Sequence, residues 1–285
     1  MKKYIALLGI FFTLSSMSGD LKIMTYNVWY GFEGKKNLDV GSKWIKSQDT
    51  DVLALQELKG FNKEQLSRAA HKWGHKYSVL SSRPSGFPLG LTSKMPIRVY
   101  EEINPGPGYR LTLHCEIAGI HYFVVHFNPQ NYRKRLVEAA AVANKVKALI
   151  SSGEKVIVLG DFNAHSRMDK EVLSSQKYLL DKWGAKEKQN KKFKQLTEKG
   201  EVDFSVMDEF FNVGLKDLSR TSNRTFPTKI LAPEDSVEQH KAKLQRIDFI
   251  LVSPELAKKK AQIIYPEEEL LHKISDHYPV ILDFK

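Results

Sequence analysis

Asp276 and His277 stand side by side just before the apolar run Val280-Ile281-Leu282 near the end of the chain. A carboxylate and an imidazole at the lip of a core strand are poor packing residues. Together they can hold a cation, move a proton or grip an anion. Other segments repeat the pattern of an apolar strand flanked by polar groups. Leu53-Ala54-Leu55 leads into Gln56-Glu57, and Val156-Ile157-Val158-Leu159 leads into Gly160-Asp161-Phe162-Asn163. Arg246-Ile247-Asp248 opens the run Phe249-Ile250-Leu251-Val252, and His126 closes Tyr122-Phe123-Val124-Val125. Glu57 and Asp276 offer hard oxygens, and Asn27 adds an amide oxygen. A few hard oxygens suit Mg2+ or Mn2+, with positions left for water and a substrate oxygen. Asp161 and Asn163, two apart, share a face if the strand persists through them. His277 needs a carboxylate to fix its tautomer or hold it protonated, and Asp248 is the leading candidate. Such a set suits phosphate-ester hydrolysis. A cation polarises the phosphoryl oxygen, a carboxylate activates water, and imidazolium groups stabilise the developing charge.

The elements that must position these residues follow from periodicity. Strands are expected at 21–29, 52–58, 77–82, 89–92, 97–103, 155–159, 226–230, 246–252, 261–265 and 278–284. Residues 110–117 and 121–126 form a hairpin across Ala118-Gly119-Ile120. Helices are expected at 40–48, 64–73 and, most clearly, 131–151. There Leu136, Ala140, Ala143, Val146 and Ile150 keep a 3.6-residue period and Gly153 ends it. Many strands with few helices imply an α+β layered sandwich.

Composition sets outer bounds. The 285 residues are 42% hydrophobic, enough to bury a sizeable core. The single cysteine, Cys115, excludes an intramolecular disulfide and reads as a buried apolar residue. Lys2-Lys3, an apolar run from Tyr4 to Leu14 and the small residues 15–19 read as a bacterial-type secretory signal over residues 1–18, followed by one domain at 19–285. The apolar run is too short to span a bilayer, so no stable membrane anchor is expected. The protein is expected to be exported, to the periplasm or the medium, and to be a monomer. The formal charge of +11 favours an anionic partner. Eight of the lysines fall between Lys177 and Lys199, against three acids. The 170–204 segment reads as a solvated surface insertion, with a substrate-binding patch as the alternative. Arg110, His114, Lys94, Arg133 and Arg135 are outlying phosphate-binding candidates, the last two expected on the exposed start of the long helix. His165 is a candidate for a supporting role beside Asp161.

Six segments carry a family resemblance: Thr25-Tyr26-Asn27-Val28-Trp29, Leu55-Gln56-Glu57, Val125-His126-Phe127-Asn128, Gly160-Asp161-Phe162-Asn163, Arg246-Ile247-Asp248-Phe249-Ile250 and Ser275-Asp276-His277-Tyr278-Pro279-Val280. In this order the chain resembles the endonuclease/exonuclease/phosphatase superfamily of Mg2+-dependent phosphoesterases. The resemblance implies a four-layer α/β/β/α sandwich, two packed sheets with helices outside. It implies Asn27, Glu57 and Asp276 at the metal, and Asp161 as the residue that orients and deprotonates the attacking water. It implies Asn163 as partner to the nucleophile or phosphate, His277 on the phosphate with Asp248 behind it, and His126 near the leaving group. The position two after Asn27, often aspartate in the family's repair enzymes, is Trp29 here. The substrate implied is an anionic phosphate ester, monoester or diester. Nucleic acid (a non-specific nuclease), sphingomyelin or another phospholipid, and a small phosphate ester all remain open. A catalytically silent binding protein on the same fold is the alternative of a different class.

Overall fold

The computed structural model describes residues 20–82, 86–219 and 224–285, so the leader expected at 1–18 lies outside the described residues. The strands are β1 (Leu21–Asn27), β2 (Val52–Gln56), β3 (Tyr77–Leu80), β4 (Gly90–Ser93), β5 (Arg98–Ile103), β6 (Thr112–Ile117), β7 (Ile120–His126), β8 (Lys155–Asp161), β9 (Lys216–Asp217), β10 (Asp248–Val252), β11 (Ala261–Ile264) and β12 (Val280–Phe284). They form two six-stranded sheets, ordered β11-β12-β1-β2-β4-β3 and β5-β6-β7-β8-β10-β9. Each sheet has one parallel pair, β1 with β2 and β7 with β8; the other pairings are antiparallel.

Alternation along the strands divides the core into layers. Ile23, Ala54, Tyr122, Val124, Ile157, Leu159, Ile250 and Leu282 meet between the sheets. The opposite face of the first sheet buries Met24, Leu53 and Leu55 against Trp44, Ile45, Leu66 and Ala69 of the helices Leu38–Gln48 and Lys63–Lys72. The opposite face of the second buries Phe123, Val125 and Val158 against Ala139, Val142 and Val146 of the helix Tyr132–Ser151 and Met207 and Phe210 of the helix Ser205–Asn212. The four-layer arrangement is therefore the one expected, and it follows from period-two strands that are apolar on both faces.

Several local expectations shift. The long helix buries Arg135, Glu138, Ala139, Val142, Ala143 and Val146, a stripe offset from the one read off the sequence. Two charges set the offset. Glu138 accepts from the backbone N–H groups of Arg110 (2.7 Å) and Asn128 (2.8 Å). Arg135, expected at the surface, is 1% exposed and donates to the Asn128 carbonyl and the Gln195 side chain. The strand expected at 226–230 is absent. Phe226 makes only an isolated bridge to Gln245, and Thr228 caps a single turn, Lys229–Leu231. The 170–204 insertion is not merely solvated. Leu173, Leu179, Trp183, Phe193, Leu196, Val202 and Phe204 form a small core of their own. Arg246 to Asp169 (2.9 Å) and Gln176 to the Leu244 carbonyl (2.9 Å) tie the segment around it to the main body.

Candidate active site

The phase that builds the inter-sheet core also builds the site. Ile23, Ala54, Val124, Leu159 and Ile250 point between the sheets. Continuing each strand by two-residue steps reaches Asn27, Gln56, His126, Asp161 and Asp248 on that same side. Register completes the convergence. Asn27 pairs with Gln56, His126 with Asp161, and Asp161 with Asp248. β12 runs antiparallel to β1, so Asp276 and His277, just before it, arrive at the Asn27 end. A slip of one residue in any strand would turn its polar residue away.

Two irregular backbones place the remaining groups. Glu57 sits at φ 61°, which swings its side chain out of the β2 alternation. Residues Trp29 to Lys35 all have positive φ, a left-handed turn that costs non-glycine residues roughly 1–2 kcal/mol each. Gly31 is required there, because a Cβ would lie 2.4 Å from the Lys59 carbonyl oxygen. The buried Phe32 ring anchors the turn. In return, the turn aims two N–H groups into the site. Trp29 N donates to Asn27 Oδ1 (3.1 Å) and Tyr30 N to Glu57 Oε2 (3.0 Å). At the end of β8, Gly160 at φ 141° lets the backbone pass Val125, whose carbonyl oxygen would lie 2.0 Å from a Cβ.

Asp161 is the hub. Asn27 Nδ2 donates to its Oδ2 (3.0 Å) and Asn163 N to its Oδ1 (2.9 Å). His126 Nε2 lies 3.6 Å and His277 Nε2 3.8 Å from Oδ2. Because Trp29 fixes the Asn27 oxygen, the Asn27 amide must face Asp161. Burial, then the nearby Asp248 charge, pushes the Asp161 carboxyl up to about 7 against the pull of His277. His277 Nδ1–H donates to Asp248 Oδ2 (2.9 Å). Burial alone would depress that imidazole; Asp248, then Asp161, outweighs it and raises the ring to about 10, so it is held as imidazolium. Ser275 Oγ donates to the Asn27 carbonyl (2.6 Å) and accepts from His277 N (3.1 Å), locking the two ends of the chain together. His126 is the opposite case. Burial, then Arg110 and His277, depresses it strongly, and it stays neutral.

The donor set fits a hard divalent cation. Burial raises Asp276 to about 6, with the Glu57 charge adding to the rise against His277. Two carboxylates that repel across a partly buried gap are stabilised by a cation between them. Asp161, Asp248 and His277 form a second group, with ligand atoms within 4.8 Å of one another. There the His277 nitrogen facing Asp248 already carries a proton, so that cluster is held together without an ion.

Asn163 departs from the expected shared face. β8 ends at Asp161, and Asn163 at φ 48° turns its amide to the Phe127 carbonyl (3.2 Å). Lys94 pairs with Asp49 and Asp51, His114 bonds to His121 (3.0 Å), and Arg133 pairs with Glu198; none of them meets the hub residues. His165 is buried and bonds to Gln245 Oε1 (3.1 Å). Sequence reasoning missed Thr225, whose hydroxyl accepts the Ile247 and Asp248 N–H groups (3.1 Å each). It also missed Phe226, its ring 4.8 Å from that of His277, and Phe87, edge-on to His126 at 6.1 Å. Phe87, Tyr109, Arg110, His126 and Asn128 line a cleft of about 340 Å3 on one side of the site.

A model of the endonuclease/exonuclease/phosphatase family matches residues 24–277. None of the curated proteins matches the chain. Among solved structures, an AP endonuclease from Archaeoglobus fulgidus superposes with a TM-score of 0.71 at 20% identity, over 93% of this chain and 99% of that one. The 3′ phosphatase NExo from Neisseria, bound to a product DNA hairpin, gives 0.67 at 19% identity, over 93% and 99%. An endonuclease/exonuclease/phosphatase from Bacteroides vulgatus gives 0.60 at 16%, over 94% and 99%. At such identities the likeness is one of fold, whereas the family match spans the polar strand ends from Asn27 to His277. The chain therefore belongs to the endonuclease/exonuclease/phosphatase family.

Proposed function

We propose that this chain is a divalent-metal-dependent phosphoesterase that cleaves its substrate by attack of water. The carrying observation is a buried carboxylate, Asp161, facing an imidazolium, His277, with Glu57 and Asp276 beside them. Glu57, Asp276 and the Asn27 amide oxygen would hold the cation. A bound Mg2+ or Mn2+ would polarise the phosphoryl oxygen and acidify water. Asp161, raised to about 7, takes a proton from the attacking water near neutral pH. His277 directs Nε2–H at a phosphoryl oxygen, its other nitrogen fixed by Asp248. Asn163, steadied by Phe127, holds the phosphate or the water. Neutral His126 offers a hydrogen bond to the departing oxygen.

DNA bound to the Neisseria relative supports nucleic acid as one candidate substrate. The expected export rests on residues 1–18, and a native mass beginning near Gly19 is its test; removal there leaves β1, which begins at Leu21, whole. The activity is tested with bis(4-nitrophenyl) phosphate, 4-nitrophenyl phosphate, plasmid DNA and sphingomyelin in Mg2+ or Mn2+. Hydrolysis abolished by EDTA is expected; no turnover of any of the four would leave the silent binding protein as the reading.

A further inference from the structure

The insertion builds one wall of the catalytic cleft. Its helix Lys177–Gln189 turns Leu179 and Trp183 inward and carries Lys182 and Lys186, one turn apart, on the adjoining stripe. These lysines meet Asn163, His165, Trp183 and Phe226 around a cleft of about 250 Å3. That cleft opens beside the hub, since Asn163 N bonds Asp161 and the Phe226 ring lies against His277. The cleft lined by Phe87 and His126 lies on another side, so a substrate can extend both ways from the scissile phosphate.

The wall has two chemistries. Trp183 packs its ring 5.3 Å from that of His165, and Phe226 is half-buried beside it. The cations at the rim are differently placed from two other lysines of the insertion. Lys177 pairs with Asp181 and Lys194 with Glu187. Among the described residues Lys182 and Lys186 have aromatic rings as neighbours, Tyr178 at 5.9 Å and Phe193 at 4.2 Å, and no carboxylate partner. Cations beside rings, without counter-charges, are the combination that binds a phosphate attached to a flat base. An acyl chain would instead strip water from both ammonium groups without pairing them.

We propose that this cleft is a subsite for a nucleotide-like portion of the substrate, its ring against Trp183 and Phe226 and a second phosphate under Lys182 and Lys186. The proposal rests on the phosphoesterase reading and narrows it to a diester bearing a further phosphate. Two substrates that both release 4-nitrophenol decide it: thymidine 5′-(4-nitrophenyl phosphate) and the same compound with a 3′-phosphate. In the native protein the added phosphate should raise kcat/KM by about tenfold or more, and less at high salt. In the double variant Lys182→Ala, Lys186→Ala the ratio between the two substrates should fall toward one. Lys188→Ala, on the same helix but outside the cleft, should keep the native ratio. A native ratio near one, or a ratio unchanged in the double variant, would overturn the subsite. Calorimetric binding of thymidine 3′,5′-bisphosphate gives a test without turnover, and equal affinity of native and double-variant protein would also overturn it. Failure to hydrolyse any of bis(4-nitrophenyl) phosphate, 4-nitrophenyl phosphate, plasmid DNA and sphingomyelin, with that binding difference intact, would instead overturn the phosphoesterase reading alone.

Discussion

Glu57 and Asp161 are both carboxylates at strand ends, yet their surroundings differ, and the proposed function gives them different roles. Glu57 is partly exposed and held by one backbone N–H. Glu57→Gln keeps that contact and removes the charge. Partners outside a metal's ligand shell are typically worth about 10- to 100-fold in affinity, so loss of a ligand charge should weaken Mn2+ binding by more than about 100-fold. Titration followed by electron paramagnetic resonance checks this, and native affinity in the variant would remove Glu57 from the cation site. Asp161→Asn should lower kcat by roughly two to four powers of ten, the usual worth of a general base. Near-native turnover would move the base elsewhere, with His126 the next candidate. Asp248 acts through His277, so the losses from Asp248→Asn and His277→Ala should combine to less than their product in kcat/KM. Asp248→Asn also removes the leading support of a ring raised to about 10. The imidazolium should then lose its proton at lower pH, visible both in the His277 NMR titration and as an earlier alkaline fall in activity. Simple multiplication of the two losses would make Asp248 an independent group.

At the scale of elements, strand phase and two tight backbones do the positioning. Gly160 passes Val125 so closely that any side chain must displace the β7 backbone. Gly160→Ala should cost at least about 2 kcal/mol, within the range for overpacking a rigid core, read from the denaturation midpoint. Because β7 carries His126 and β8 carries Asp161, activity should fall further than stability. A stable, fully active Gly160→Ala protein would mean that the close approach of β7 and β8 does not set the site. The left-handed turn after β1 is the second device. Its unfavourable backbone persists because Phe32 is buried and because Trp29 and Tyr30 donate to site residues.

For the whole molecule, the gathered carboxylates should make stability depend on pH and, under the proposed function, on a cation as well. Asp161 and Asp276 titrate at about 7 and 6 when folded, against 3.8 ordinarily. A raised acid favours the fold while protonated. That stabilisation is complete below pH 3.8 and lost as pH rises through about 6 to 7. The contribution of His277, present below 6.5 and lost toward about 10, falls in the same direction. In EDTA the denaturation midpoint should therefore be lower at pH 8 than at pH 5. Saturating Mn2+ should raise it more at pH 8, where Asp276 is charged and would bind the ion without first losing a proton. Equal stabilisation at both pH values would dissociate Asp276 from the proposed cation site.

The sequence by itself determined the candidate site residues and the strands that end in them. Apolar alternation runs straight into Asn27, His126, Asp161 and Asp248, and period-two geometry is local, so it can be read without contacts. It also marked Cys115 as buried and the layered α+β class, while the two packed sheets came from the family resemblance. Other features depended on tertiary structure because they are contacts between distant segments. Asn27 bonds to Asp161 across 134 residues and approaches His277 across 250. Arg135 and Glu138 face inward because loops beside the site needed their hydrogen bonds, which overrode the helix's apolar stripe. Asn163 left the strand face because β8 ends at Asp161 and Asn163 itself takes a left-handed φ of 48°, which the sequence does not display. The lysine-rich insertion read as solvated because charge is visible in sequence and packing is not; only folding brought Trp183, Lys182 and Lys186 to one cleft with Phe226.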